Sequence, residues 1–242
     1  MSFLAHRCVQ PEIMDDPGLG DAEHAAALQG LARVHILTGT AGRLWRPIER
    51  LYRKRKTRQL SIMDVGCGDG ILLRKLARRA ARRGLSLRLI GCDFSPRAIE
   101  LCQRGAAADK LSIELHQVDV TSAPLPVSAD VVINSLFLHH FSEAQVKAIL
   151  QQFRTHAREL VVIEDLLRSR LGYGLCWAGV HLLTRSRVVH VDGLLSVRAA
   201  FSMAEIQAVL REAGMSTAKL YRHWPERFMV EWSPAGGDMD AY

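Results

Sequence analysis

In this 242-residue chain, the stretch Asp64-Val65-Gly66-Cys67-Gly68-Asp69-Gly70 is where residue type and spacing point most directly to chemistry. It follows a short apolar run, Ser61 to Val65, and precedes a segment with helical periodicity. Glycines at such a strand-to-helix turn let the backbone approach a ligand closely, and open α/β sheets bind ligands at the carboxyl ends of their strands. The spacing is Gly-x-Gly-x-Gly, not the Gly-x-Gly-x-x-Gly of dinucleotide sites. Asp64, just before the first glycine pair, and Asp69 inside the loop would repel a pyrophosphate. Both suit a ligand that carries an ammonium and a sulfonium.

Two further groups fall after strand-like runs. Ile90-Gly91-Cys92-Asp93-Phe94-Ser95 places a carboxylate where it can accept protons from both ribose hydroxyls, with Phe94 beside it to pack on an adenine face. Asn134-Ser135-Leu136-Phe137-Leu138-His139-His140-Phe141 follows the fourth strand-like run. It carries neither a Pro-Pro nor a Pro-Cys pair. An imidazole, with a pKa of about 6.5, suits deprotonation of a phenol with a pKa near 10. His140 is the favoured base, with His139 as the second candidate or a packing and capping residue. Adjacent residues diverge on a strand or a helix, so the pair is not expected to share a metal. Asp130 is the sole acid close before that strand, so no metal is expected.

The elements that must position these groups alternate from Leu60 onward. Strands are expected at Ser61–Val65, Leu87–Cys92, Ile113–Val118, Val131–Asn134, Leu160–Ile163, Thr217–Tyr221 and Phe228–Trp232. Helices are expected from Ile71 to Arg83, after Ser95-Pro96, from the capping box Ser142-Glu143-Ala144-Gln145 to near Arg158, and from the capping box Ser202-Met203-Ala204-Glu205 to Gly214. The pattern predicts an α/β fold: a Rossmann-like, doubly wound, seven-stranded sheet, mostly parallel, with the last strand antiparallel. Residues 1–55 read as a helical arm, with one helix opening at Asp21-Ala22-Glu23-His24 and another near Leu44; Arg33, His35 and Trp45 would belong to a lid. Residues 56–242 form the main domain. Its insert, 164–200, reads as a pocket wall or a helix that dips transiently into a membrane surface, with Tyr173, Trp177, His181 and His190 as substrate-side groups.

Together these motifs resemble the class I S-adenosylmethionine-dependent methyltransferases over about Ser61 to Trp232, and within them the branch that methylates quinones and phenols. The resemblance implies that Asp64, Gly66 and Gly68 cradle the methionine part of S-adenosylmethionine, with Cys67 contributing backbone. Asp119-Val120 resembles the acidic-apolar pair that takes the adenine, and Asn134 is grouped with the cofactor side. The Leu-His-His-Phe run resembles the segment common in the small-molecule branch. The expected reaction is methyl transfer to a small aromatic, quinone-like or polyketide-like acceptor, to oxygen rather than carbon, with S-adenosylhomocysteine as product.

The formal charge of +7 motivates two alternatives, an RNA or a protein methyltransferase. Its basic runs, Arg50 to Arg58 and Arg74 to Arg83, lack the interleaved aromatics of single-strand binders and read as solvated helix faces, so nucleic acid is not favoured. A third alternative is a non-catalytic cofactor-binding partner protein. Five cysteines without Cys-x-x-Cys spacing and no long apolar segment predict a cytoplasmic protein.

Overall fold

The computed structural model describes residues 3–13, 18, 20, 39–55 and 59–234. Seven strands form one sheet: β1 (Gln59–Val65), β2 (Ser86–Asp93), β3 (Ile113–Gln117), β4 (Ala129–Ser135), β5 (Ala157–Leu166), β6 (Lys219–His223) and β7 (Arg227–Trp232). Their order is β3-β2-β1-β4-β5-β7-β6. The first five pair in parallel and β7 runs antiparallel to both β5 and β6, which is the expected topology.

The central strands carry apolar side chains on both faces because helices cover both. Along β1, Leu60 and Ile62 enter one core, with α1 (Thr40–Lys54), α2 (Ile71–Ala81) and Cys102 of α3 (Pro96–Ala108). Met63 and Val65 enter the other, with α4 (Glu143–His156) and α7 (Met203–Glu212). Both expected capping boxes close reciprocally, Ser142 with Gln145 and Ser202 with Glu205. Ser95 Oγ accepts from Ala98 N ahead of α3, with Pro96 at its first position. The insert folds as a helical hairpin, α5 (Arg170–Leu183) and α6 (Arg187–Ala199).

The amino-terminal region departs from the expected arm. Residues 3–12 are turns and extended chain. With Ile13, they are strapped along α6 by Arg7 Nε to Ala199 O (2.7 Å), Cys8 N to Arg198 O (3.1 Å) and Ile13 N to Asp192 Oδ1 (2.8 Å). The second helix opens at Thr40, and its Trp45 is buried in the sheet core, not held in a lid. Asp21 to His24, Arg33 and His35 lie outside the described residues.

Helix α1 is fixed to the sheet by a buried ion cluster. Glu164 of β5, fully buried, accepts from Arg43 Nη2 (2.7 Å) and Nε (3.1 Å), from Thr40 Oγ1 (2.9 Å) and from Arg227 Nη1 (3.1 Å). Burial pushes its carboxyl up, but the two guanidiniums outweigh that and hold it below the ordinary range. Basic residues from both charged runs are similarly engaged: Arg50 with Glu231, Arg55 with Asp130 and Glu159, Arg74 and Arg78 with Asp109, and Arg83 with Glu49.

Glu164→Gln leaves two guanidiniums without their buried counter-charge and is expected to cost about 3–5 kcal/mol, read by urea denaturation. A second expectation concerns Glu205, which Arg168 and the Ser202 cap hold at about 2 against burial. A depressed folded pKa stabilises above the unfolded value and stops doing so as pH falls through the folded one. The stability gap between the native chain and Glu205→Gln should be full at about pH 6, shrink below about pH 4.5 and close near pH 2.

Candidate functional site

A cavity of about 350 Å³ opens at the carboxyl ends of β1, β4 and β5. The glycine loop forms one end. Gly66, Gly68 and Gly70 all have positive φ (74°, 54° and 72°), the region that favours glycine. A Cβ at Gly66 would run into the Phe137 ring and one at Gly70 into Cys102 Sγ, whereas none would meet anything at Gly68, which borders the cavity. Gly66 N and Cys67 N both donate to Cys92 O, and Gly70 N to Cys67 O, so the polar backbone of Cys67 is used within the loop itself. Asp93 braces the same loop: Oδ2 accepts from Gly68 N (2.9 Å) and Oδ1 from Ser95 N (3.0 Å).

Asp64 lies beneath this loop, 1% exposed, and lines the cavity. Its Oδ1 has no hydrogen-bond partner among the described residues. Burial, with Cys102 and Asp93 nearby, pushes its carboxyl well above the ordinary range. A buried carboxylate oxygen without a donor is costly, and a cationic ligand group is what would relieve it. The cradle therefore fits a ligand with a positively charged amino-acid end, as Asp64 in the sequence suggests.

At the other end stand His139, His140 and Glu12. His139 is buried, and its Nδ1 meets Asp165 Oδ1 at 2.6 Å. Asp165 also accepts from Leu166 N (2.7 Å) and from the backbone of Phe137 and His139 (both 3.3 Å). Burial opposes charge on both partners, yet each outweighs that for the other: Asp165 is held below the carboxylate range and His139 raised above the imidazole range. Burial and the neighbouring His139 push His140 down to about 3, which makes it a poor proton acceptor. Of the two rings, His139 is therefore the better proton acceptor.

The expected divergence of the two rings is also corrected. Residues Leu138–His140 form a 3₁₀ turn, neither strand nor α-helix, and the rings lie 4.3 Å apart at 32°. Glu12 Oε1 lies 4.0 Å from both His139 Nε2 and His140 Nδ1. Nothing in the local sequence signals Glu12, which arrives on the amino-terminal strap. Leu136, just before the turn, holds a positive φ of 54° and lines the cavity, a strained conformation fixed by its N–H to Glu164 O (2.9 Å).

The α5–α6 hairpin does form a wall, but with other residues than expected. Cys176, Val180, Val189, Gly193 and Ser196 line the cavity. Tyr173, Trp177, His181 and His190 do not: Tyr173 packs edge-on to Phe3, Trp177 stacks on His181, and His181 on His190. Their apolar neighbours made them look like pocket groups, while helical phase puts them elsewhere on the hairpin. Asn134 is fully buried behind the loop, Nδ2 donating to Val65 O (2.6 Å). Phe94 is exposed, and Asp119 accepts from Thr121 and Ser122 in its own turn ahead of buried Val120. Phe94, Asp119 and Val120, with Asp93, do not line this cavity.

Comparisons with known proteins carry the same reading. A family model described as a methyltransferase domain matches residues 62–159. Ubiquinone biosynthesis O-methyltransferase from Brucella ovis is 27% identical over 157 residues, which cover 62% of this chain and 61% of that protein. The mitochondrial enzyme of that name from Schizosaccharomyces pombe is 27% identical over 141 residues, 56% of this chain and 46% of its own length. The match thus spans less than two thirds of either relative. Among solved structures, the apo S-adenosylmethionine-dependent methyltransferase SibL shares the fold with a TM-score of 0.65 at 20% identity, covering 95% of this chain and 64% of that one. Magnesium protoporphyrin IX methyltransferase from Synechocystis, solved with bound S-adenosylmethionine, has a TM-score of 0.54 at 14% identity, covering 91% and 88%. With the sheet order and the glycine loop, these matches give the chain a Rossmann-like methyltransferase fold that carries a methyltransferase-domain match over residues 62–159.

Proposed function

We propose that this chain transfers a methyl group from S-adenosylmethionine to a hydroxyl of a small aromatic or quinone-like acceptor, releasing S-adenosylhomocysteine. The observation that carries this reading is the unpartnered Asp64 Oδ1 at one end of a cavity whose other end presents the His139–Asp165 pair. The names of the curated relatives, which methylate oxygen in ubiquinone biosynthesis, support a small hydroxylated acceptor over a macromolecule. The engagement of Arg50, Arg55, Arg74, Arg78 and Arg83 in ion pairs weakens the RNA alternative.

In this reading Gly66 and Gly68 admit the methionine end and Asp64 takes its ammonium. Asp93 and Phe94 would hold ribose and adenine along the outer edge, with Asp119 and Val120 beyond. The bound donor supplies an electrophilic methyl on a sulfonium, and the breaking bond leaves its electron pair on sulfur. Cys176, Val180 and Val189 give the acceptor an apolar wall. His139 Nε2 would receive the hydroxyl proton, and Asp165 would stabilise the imidazolium that results. Alignment of acceptor and methyl supplies much of the acceleration.

Incubation with isotope-labelled donor and a panel of phenols and hydroquinones should yield a mass-shifted ether. Absence of any heat with S-adenosylmethionine, with NAD bound instead, would overturn the reading. Donor binding without consumption across the panel would favour the non-catalytic partner. Asp64→Asn should weaken donor binding about 10- to 100-fold, the worth of a charged hydrogen bond. It should also raise the melting temperature of the cofactor-free protein, because a buried carboxyl with a raised pKa costs stability at neutral pH. His139→Ala should lower kcat about 10²- to 10⁴-fold with donor affinity kept.

A further inference from the structure

We infer that Glu12 Oε1, His139 Nε2 and His140 Nδ1 form a three-ligand site for a divalent ion of the zinc class at the polar end of the cavity. The three atoms lie within 4.8 Å of one another, with Glu12 Oε1 at 4.0 Å from each imidazole nitrogen. Such separations are too long for hydrogen bonds, so these atoms converge without bonding one another. Bonds of about 2.0–2.1 Å to one tetrahedral ion would set ligand atoms roughly 3.3 Å apart, which the side chains reach by closing in slightly.

The surroundings have the form that metal-bound imidazole requires. A ligating histidine directs its other nitrogen to a carboxylate, which fixes the tautomer and raises the basicity of the ring. His139 Nδ1 meets Asp165 at 2.6 Å, leaving the Nε2 lone pair towards Glu12. Glu12 is itself oriented by Ser196 Oγ, which donates to Oε1. Two imidazoles and one carboxylate suit zinc or its transition-metal neighbours; magnesium and calcium prefer all-oxygen sets. Three protein ligands leave a coordination position open, and all three line the cavity.

What the open position does for the acceptor rests on the methyl-transfer reading above. An acceptor with two neighbouring oxygens, such as an ortho-dihydroxy ring or an ortho-hydroxy ketone, would place one on the open position and chelate with the second as the ion expands to five-coordinate. Its hydroxyl proton would pass to water, the oxygen lone pair would form the O–CH₃ bond, and the S–CH₃ bond would break with its pair on sulfur. With the ion bound, His139 Nε2 is a ligand and water takes the proton; its role as proton acceptor belongs to the ion-free chain.

The test is titration of the chelator-treated, full-length protein with Zn²⁺ by calorimetry and with Co²⁺ by visible absorption, without donor. One ion per chain is expected, with Co²⁺ d–d bands. Glu12→Gln, His139→Ala and His140→Ala should each weaken binding at least tenfold and bleach those bands. Asp165→Asn should weaken it about 10- to 100-fold. S-adenosylmethionine affinity, governed by the far end of the cavity, should hold in every variant and reports that each is folded. Native protein that binds no more Zn²⁺ than the Glu12→Gln/His139→Ala double variant would overturn the site. Full turnover of an ortho-dihydroxy acceptor after chelation would overturn the ion's part in catalysis and leave methyl transfer standing. Zn²⁺ binding without donor binding would do the reverse.

Discussion

Glu164 and Asp165 are consecutive at the carboxyl end of β5, both buried, and strand alternation sends their side chains to opposite faces of the sheet. Glu164 gathers Arg43, Thr40 and Arg227 and so ties α1 and β7 to the sheet. Asp165 gathers the His139 ring and backbone N–H groups and so shapes the turn after β4. Thr40, Arg227 and His139 all line the cavity. One dipeptide therefore fixes both walls, and each carboxylate stays charged in a dry environment because its donors arrive from elements distant in sequence. Neither partner set can shift without leaving a buried charge uncompensated.

The charge of the cavity runs against that of the chain as a whole. Net charge is +7, yet Asp64, Asp69 and Glu12 line the pocket, with Lys75 and Arg227 as its cations. Much of the basic excess sits on the helices that cover the sheet, in ion pairs that serve packing. The basic excess of the chain is thus not concentrated in the cavity, and local rather than net charge governs what enters.

The parts of this design that depend on neighbours in sequence were legible there. The alternating apolar runs, the glycines at positive φ, the capping boxes at Ser142 and Ser202 and the carboxylates at Asp64 and Asp93 each carry a local physical signature. Residues whose meaning comes from distant partners carried none. Glu12 reads as an ordinary loop acid, Glu164 as the first residue of the insert and not as part of β5, and Arg227 as one arginine among many. The hairpin shows a third kind of limit. Its apolar run announces a helix at 171–183, but the phase that chooses Cys176 and Val180 over Trp177 and His181 depends on how α6 packs against it. The His139–His140 pair misled for a similar reason, since divergence holds for regular elements and the chain there is a 3₁₀ turn.

The strap that carries Glu12 also sets an order of assembly. The glycine loop and the carboxylate that braces it, Gly68 and Asp93, are 25 residues apart, whereas Ile13 meets Asp192 across 179. That is about three doublings of loop length, or roughly 2 kcal/mol more closure entropy. The segment that carries Glu12 gains its hold only from residues far along the chain, Phe141 and Asp192 among them. The glycine-loop end of the cavity closes on local contacts, and the histidine end is finished by contacts between residues far apart in the chain.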